Sequence, residues 1–389
     1  MRRAGITLVL LALLLGLGAA ATRFVVPGLA FRYPDGPLDT TAEARGEYAL
    51  SIDPATATPV PQPQILPLTV RRRLRVVDGG GERAVVREDD TRTIGQLRPQ
   101  TFVHQYELDR RTLRNLPSDS AFAYQPDNLV NRSPAYTVNL PFAAGAGPYP
   151  VWQDEAGRTM EVRRMSTTSV NGVHLARYQG TLSGATVQPA YVAALAEQGI
   201  PSELTADQAA AQLKTPVADP VQLRGLVLPR LSAADRSRVS RLLAAPVPLR
   251  YTFDAATSLL VDPRTGTVVS LDRSEQALRA APDPIRFRSI ETILAQPQYA
   301  KDPVLRLAGV AFGILGKPRP ASPVLRMTYA QTPASVAALV RFADSRGGKI
   351  DLVRRTVPLA LLAAGLALLL LGLVLLAVAP RRPRGRRAR

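Results

Sequence analysis

LPLTVRRRLRVVDGGGERAVVRE, residues 66–88, decides the fold class. Leu68, Val70, Leu74 and Val76 share one parity, and Arg71, Arg73 and Arg75 the other. An extended chain therefore carries aliphatic side chains on one face and cations on the opposite one. Arg72 alone breaks the alternation. The chain then passes through Asp78-Gly79-Gly80-Gly81 and resumes as RAVVRE. Two such runs about a glycine turn read as an antiparallel hairpin.

Three more turns of the same kind follow. Asp154-Glu155-Ala156-Gly157 separates YPVW from RTMEVRR, and Asp262-Pro263-Arg264-Thr265-Gly266 separates SLLV from TVVSL. Asn171-Gly172, between STTSV and VHLARY, is the pair best suited to a type I′ turn because both residues tolerate positive φ. The fold expected is mainly β within the α+β class, an antiparallel β-rich domain. Residues 189–246 form a helical insertion in it. PAYVAALAEQG opens on Pro189 and stops at Gly199. Thr205 with Gln208, and Ser232 with Asp235, have capping-box spacing ahead of AAAQLK and RSRVSRLLAA. A further amphipathic helix is expected from Pro333 with Thr332 as its cap, placing Val336, Leu339, Val340 and Ala343 on one face. Gly347-Gly348 is expected to loosen the chain after it. Upstream, 24–65 is rich in Pro, Thr and Ala, and PATATPVPQPQ (54–64) reads as an extended connection of polyproline character.

The two ends do not belong to this domain. Residues 6–21 are uncharged and follow Arg2 and Arg3; residues 357–379 are uncharged and mostly aliphatic. At about 1.5 Å per residue the second run spans roughly 30 Å of hydrocarbon. The first reads as a retained anchor, with a signal peptide ending near Ala19-Ala20-Ala21 as the alternative. Six arginines after Ala379, with Arg2 and Arg3, put both termini in the cytoplasm and the middle outside, at the cytoplasmic membrane. The organisation expected is an anchor at 1–23, an extracytoplasmic domain at 24–350, a transmembrane helix with its lead-in at 351–379, and a basic cytoplasmic tail at 380–389.

Of the formal net charge of +18, eight positive charges lie on those ends. The rest are interspersed with acids, as in RAVVREDDTR (83–92), and are not interleaved with stacking aromatics; nucleic acid is not an expected partner. With no cysteine, there is no disulfide framework, thiolate metal site or cysteine nucleophile.

LDRRTLRNLPSDSAFAYQPDNLVNRSPAYTVNLPFAAGAGPYPVWQDEAG (108–157) resembles the actinobacterial PorA-type envelope family. The elements concerned are Asp109–Thr112, Ala135–Phe142 and Tyr149–Trp152, followed by PAYVAAL (189–195), APVPLRYTF (245–253) and VDPRTG (261–266). The resemblance implies two terminal spans and envelope-lipid handling. One mycobacterial branch is implicated in polar growth and in moving mycolate-bearing glycolipid beside a lipid exporter. The family's porin label fits poorly, because two helices enclose no channel.

Catalytic motifs are sparse. His104 and His174 share no metal-ligand spacing, no G-x-S-x-G occurs, and no cofactor, metal or catalytic residue is expected. Asp89-Asp90 reads as solvated charge, Asp154-Glu155 as a hairpin tip, and Asn131-Arg132-Ser133 as a chance sequon. Asn139 and Pro141 are expected to end a strand. Tyr149 and Trp152 are the candidate lipid-binding residues. The function expected is non-enzymatic: binding or handing over an envelope glycolipid in a groove that shields acyl chains, with membrane lipid and a lipid exporter as partners. Alternatives are a scaffold for envelope-synthesis proteins, an oligomeric porin and a wall hydrolase.

Overall fold

The computed structural model describes residues 2–26, 32–33, 39–53, 58–205, 208–209, 220–318 and 320–378. The expected basic tail, most of the AAAQLK helix and residues 54–57 lie outside these.

Twelve strands are present among the described residues: β1 (Asp39–Ile52), β2 (Pro59–Gly80), β3 (Arg83–Ile94), β4 (Gln100–Asp109), β5 (Phe122–Tyr124), β6 (Tyr149–Gln153), β7 (Arg158–Val170), β8 (Val173–Thr186), β9 (Glu203–Leu204), β10 (Val247–Val261), β11 (Val268–Pro282) and β12 (Ser322–Gln331). Eleven form one antiparallel sheet in the order β5-β4-β3-β2-β1-β12-β11-β10-β8-β7-β6, and β9 pairs with β10 alone. The mainly β reading holds. All four turns named from sequence join consecutive antiparallel strands. Asn171 and Gly172 have φ of 51° and 81°, as a type I′ turn requires.

The sheet curls into a half-barrel whose two edges approach each other. Tyr136, in the connection between β5 and β6, forms a parallel bridge with Val151, and Asn115 bonds Ala135. Its inner face holds a core that includes Leu68, Val86, Leu108, Met160, Tyr178 and Phe253.

Three local expectations fail for physical reasons. The stretch 24–65 is not simply a connection: β1 lies at the centre of the sheet, and β2 starts at Pro59. Its prolines fall where no ladder donor is needed. Between Pro59 and Gln64 the register against β1 slips. Pro63 and Pro67 face away from β1, where β3 pairs only from Leu68 onward and the Pro67 carbonyl accepts from Gly95 N. VNLPF does not end a strand; it docks as irregular chain on the β10–β11 turn, with Leu140 N donating to Gly266 O.

Gly347-Gly348 does not loosen the chain. Helix α7 (Pro333–Asp351) continues through a π turn, Leu352–Thr356, into α8 (Val357–Val378). Gly347 is there because a Cβ would meet the Arg264 guanidinium at 2.3 Å. That guanidinium binds Asp262 (3.0 Å), Asp344 (3.1 Å) and Asp351 (3.3 Å), tying the β10–β11 turn to the helix that enters the apolar run.

The remaining helices are α1 (Arg2–Ala20), α2 (Pro189–Ala196), α3 (Pro220–Val227), α4 (Ala233–Ala244), α5 (Ile285–Leu294) and α6 (Pro303–Leu315). The first capping box forms in both directions, Gln208 N donating to Thr205 Oγ1 at 3.1 Å and Thr205 N to Gln208 Oε1 at 2.9 Å. The second forms by half, Asp235 N donating to Ser232 Oγ at 3.2 Å while Ser232 N donates to Tyr299 Oη. The Thr332 hydroxyl accepts from Ser335 N at the start of α7. A second helical pair, α5 and α6, enters between β11 and β12. It shares a core with the insertion through Val239, Phe287, Ile290, Leu305 and Phe312.

Among the described residues two helices are long and apolar enough to cross a membrane, 3–24 and 333–378. They pack together along small residues repeating every seven positions, Gly5, Ala12 and Ala19 against Pro358, Gly365 and Gly372. A Cβ on Gly365 would meet Ala12 O at 3.2 Å and Leu15 Cβ at 3.4 Å. Such residues let backbones approach where lipid offers no hydrophobic drive.

Candidate functional site

Strand β3 builds the site. Its burial alternates without a break, so Ala84, Val86, Glu88, Asp90, Arg92 and Ile94 all point inward. Half of that inner row is charged. β4 adds His104 and Tyr106, and the β6–β7 turn inserts Asp154 and Glu155 from the opposite edge of the sheet. These groups surround a cavity of about 240 Å³. At about 30 Å³ per water, that is room for roughly eight waters, or one headgroup-sized moiety. It falls below the range of about 300–1,000 Å³ typical of sites enclosing drug-sized ligands. The lining mixes these charged groups with apolar side chains such as Val70, Leu74 and Leu259, and is not the wholly apolar groove expected for acyl chains.

The charges are matched in pairs. Arg72 reaches Glu88 Oε1 at 2.5 Å, and Tyr106 Oη donates to Glu88 Oε2 at 2.7 Å. Arg92 Nε donates to Asp90 Oδ2 at 3.0 Å and its guanidinium lies 3.6 Å from Glu155. Asp154 accepts from Arg132 Nε (2.8 Å) and Trp152 Nε1 (2.9 Å), and lies 3.1 Å from His104 Nδ1. Arg132, 1% exposed, also donates to the carbonyls of Gln105 and Phe122, so one guanidinium joins both edges of the sheet.

Burial alone would push the Asp154 carboxyl up; Arg132 and His104 outweigh it and hold the group well below the usual carboxylate range. Burial opposes charge on His104, yet Asp154 raises its pKa. Glu88 is held low against its burial by Arg72. Glu155 differs: burial raises it, and Arg92 offsets only part of that. Asp90 Oδ1 and Gln276 Oε1, both on cavity-lining residues about nine-tenths buried, have no hydrogen-bond partner among the described residues. Two buried acceptors facing one space call for donors within it. Among the described residues no group of three or more metal-ligating side chains occurs.

Trp152 lines the cavity. Tyr149 stands apart, its ring between Tyr136 and Tyr178 and its hydroxyl accepting from Gly145 N. His104 is buried, whereas His174 is exposed. Asp154 and Glu155 do occupy a hairpin tip, but that tip is buried. Asp90 is buried too, and Asp89 is half-buried between Arg75 and Arg87, so neither is freely solvated. Arg132 emerges from the segment dismissed as a chance sequon; nothing local in sequence marks it. Glu88, Asp90 and Arg92 could have been found by extending the β3 alternation through its charges.

A family model described as Porin PorA matches residues 4–374. No curated protein matches the chain.

Proposed function

The chain belongs to the Porin PorA family, and from that premise we propose a membrane-tethered envelope protein whose external domain binds the polar headgroup of an envelope lipid inside the curled sheet. The observation that carries this reading is a partly open cavity, lined by charged and apolar side chains together, in which Asp90 Oδ1 and Gln276 Oε1 have no partner among the described residues. Hydroxyls of a glycolipid headgroup would satisfy both, with Trp152 as an apolar wall beside them. The acyl chains would stay outside this cavity, against the bilayer. The lipid would arrive from a neighbouring membrane exporter, and the role is binding and hand-over without catalysis. The arginines flanking both apolar runs support a topology with both termini on the cytoplasmic side and the sheet outside.

Conduction is not part of this reading. Two helices enclose no aqueous path, and the sheet exposes Arg71 and Arg73 on its longest strand, where a lipid-facing barrel needs an apolar band. A scaffold acting only through its surface has no use for unpaired acceptors in such a cavity.

Native mass spectrometry of the detergent-purified full-length chain, beside a cavity-filling Thr257→Trp variant, tests the proposal. One lipid that survives washing on the first and is absent from the second is the expected result. Equal retention by both would overturn it.

A further inference from the structure

The cavity's cations are matched by carboxylates at Arg72, Arg92 and His104. Arg346 is the exception: among the described residues it has no carboxylate partner. It projects from α7 into the lining, half-buried, with its guanidinium 5.0 Å from the centroid of the Phe342 ring. Burial lowers its pKa, and the one group acting in the other direction is the Tyr33 hydroxyl.

Tyr33 lines the same part of the cavity. It is 1% exposed, and among the described residues its hydroxyl finds no hydrogen-bond partner, which is unusual for a buried phenol. Burial pushes its pKa up to about 12 although Arg346 and Arg72 both lie near enough to pull it down. At neutral pH it is therefore an O–H donor. Its position is fixed from behind: Tyr33 N donates to Arg110 O at 2.8 Å, and Arg110 Nε donates back to Tyr33 O at 2.8 Å.

A planar guanidinium without a counter-charge and a phenol without an acceptor require the same complement, an oxyanion that accepts several hydrogen bonds. We propose that Arg346 and Tyr33, with Arg72 beside them, form a subsite for a phosphate-type oxyanion on the α7 wall of the cavity. This deepens the headgroup reading and rests on it: the headgroup carries an anionic group as well as hydroxyls. Glu88 neutralises Arg72, so the binding charge comes chiefly from Arg346. The eleven residues from Arg346 to Val357 rise about 16 Å. A lipid phosphate held here would thus stand above the start of the apolar run.

The test uses the full-length protein and its Arg346→Gln, Arg346→Lys and Tyr33→Phe variants, each matched to wild type for thermal unfolding. One arm titrates inorganic phosphate; the other measures lipid retained from vesicles of phosphatidylcholine alone or with one-quarter phosphatidylglycerol. Expected is binding that falls at least tenfold in Arg346→Gln, less in Tyr33→Phe, and is partly kept in Arg346→Lys. Phosphatidylglycerol retained over phosphatidylcholine and displaced by phosphate assigns the site to a lipid headgroup. Phosphate binding without lipid preference assigns it to a free oxyanion. Equal binding by wild type and Arg346→Gln overturns the subsite. If wild type binds neither anion yet retains an uncharged hydroxyl-rich lipid that Thr257→Trp excludes, the subsite falls and the headgroup reading stands. If wild type retains nothing, both fall.

Discussion

Asp154 gathers Arg132, His104 and Trp152 from three separate parts of the chain, and this one carboxylate closes the open side of the half-barrel. Asp154→Asn keeps the shape but leaves the Arg132 guanidinium buried without its charge partner. Loss of one member of such a pair typically costs about 3–5 kcal/mol. Denaturant unfolding should show a loss of that order, whereas the exposed Glu161→Gln should stay within about 0.5 kcal/mol of wild type. His104 gives the pH dependence. Its pKa in the folded state is raised above the ordinary 6.5, so the native protein binds more protons there than the unfolded chain does. Its stabilising contribution is complete below about 6.5 and is lost as pH rises through the raised value. Thermal unfolding measured from pH 6 upward should decline in wild type and lose that component in His104→Gln; parallel profiles would contradict it.

Elements were legible where local chemistry decides them. The four turns, the N-caps at Thr205, Ser232 and Thr332 and the α7 face each depend on a few adjacent residues, and each formed. What could not be read depends on distant partners. Gly347 looked like a break because Arg264, which needs the space, lies more than eighty residues upstream. The prolines of β2 looked like a linker because strand neighbours are invisible in sequence. Asp90 looked solvated because the sheet's curl is a tertiary fact. The seven-residue spacing of Gly5, Ala12 and Ala19 was not legible in the sequence, because small residues in an apolar run gain meaning only against Pro358, Gly365 and Gly372. A retained first helix would make this packing in the membrane; a cleaved one would not. The chain has no cysteine, so Leu15→Cys with Gly365→Cys creates the only possible bridge. A Cβ on Gly365 would lie 3.4 Å from Leu15 Cβ, at the short end of the separation a disulfide spans. Oxidised membranes should give a cross-linked species with altered gel mobility. A mature chain beginning after residue 21 could form none.

At the scale of the molecule, β1 and β12 pair at the centre of the sheet, so the first strand begins where the last one ends. Both terminal helices therefore leave the domain at one end, and their mutual packing makes a handle of it. The α7–α8 helix carries this further, since Leu339, Phe342 and Arg346 wall the cavity while the same helix runs on into the apolar span. The headgroup reading depends on that interior being occupied by part of an amphiphile. The most direct measurement places a photo-crosslinking amino acid at Leu271, on the cavity lining, and at the exposed Met165 as control, in the full-length chain in native membranes. After irradiation and delipidation, mass spectrometry should find a lipid adduct at position 271 and none at 165. An unmodified position 271, or equal labelling at both, would contradict a headgroup bound inside the sheet.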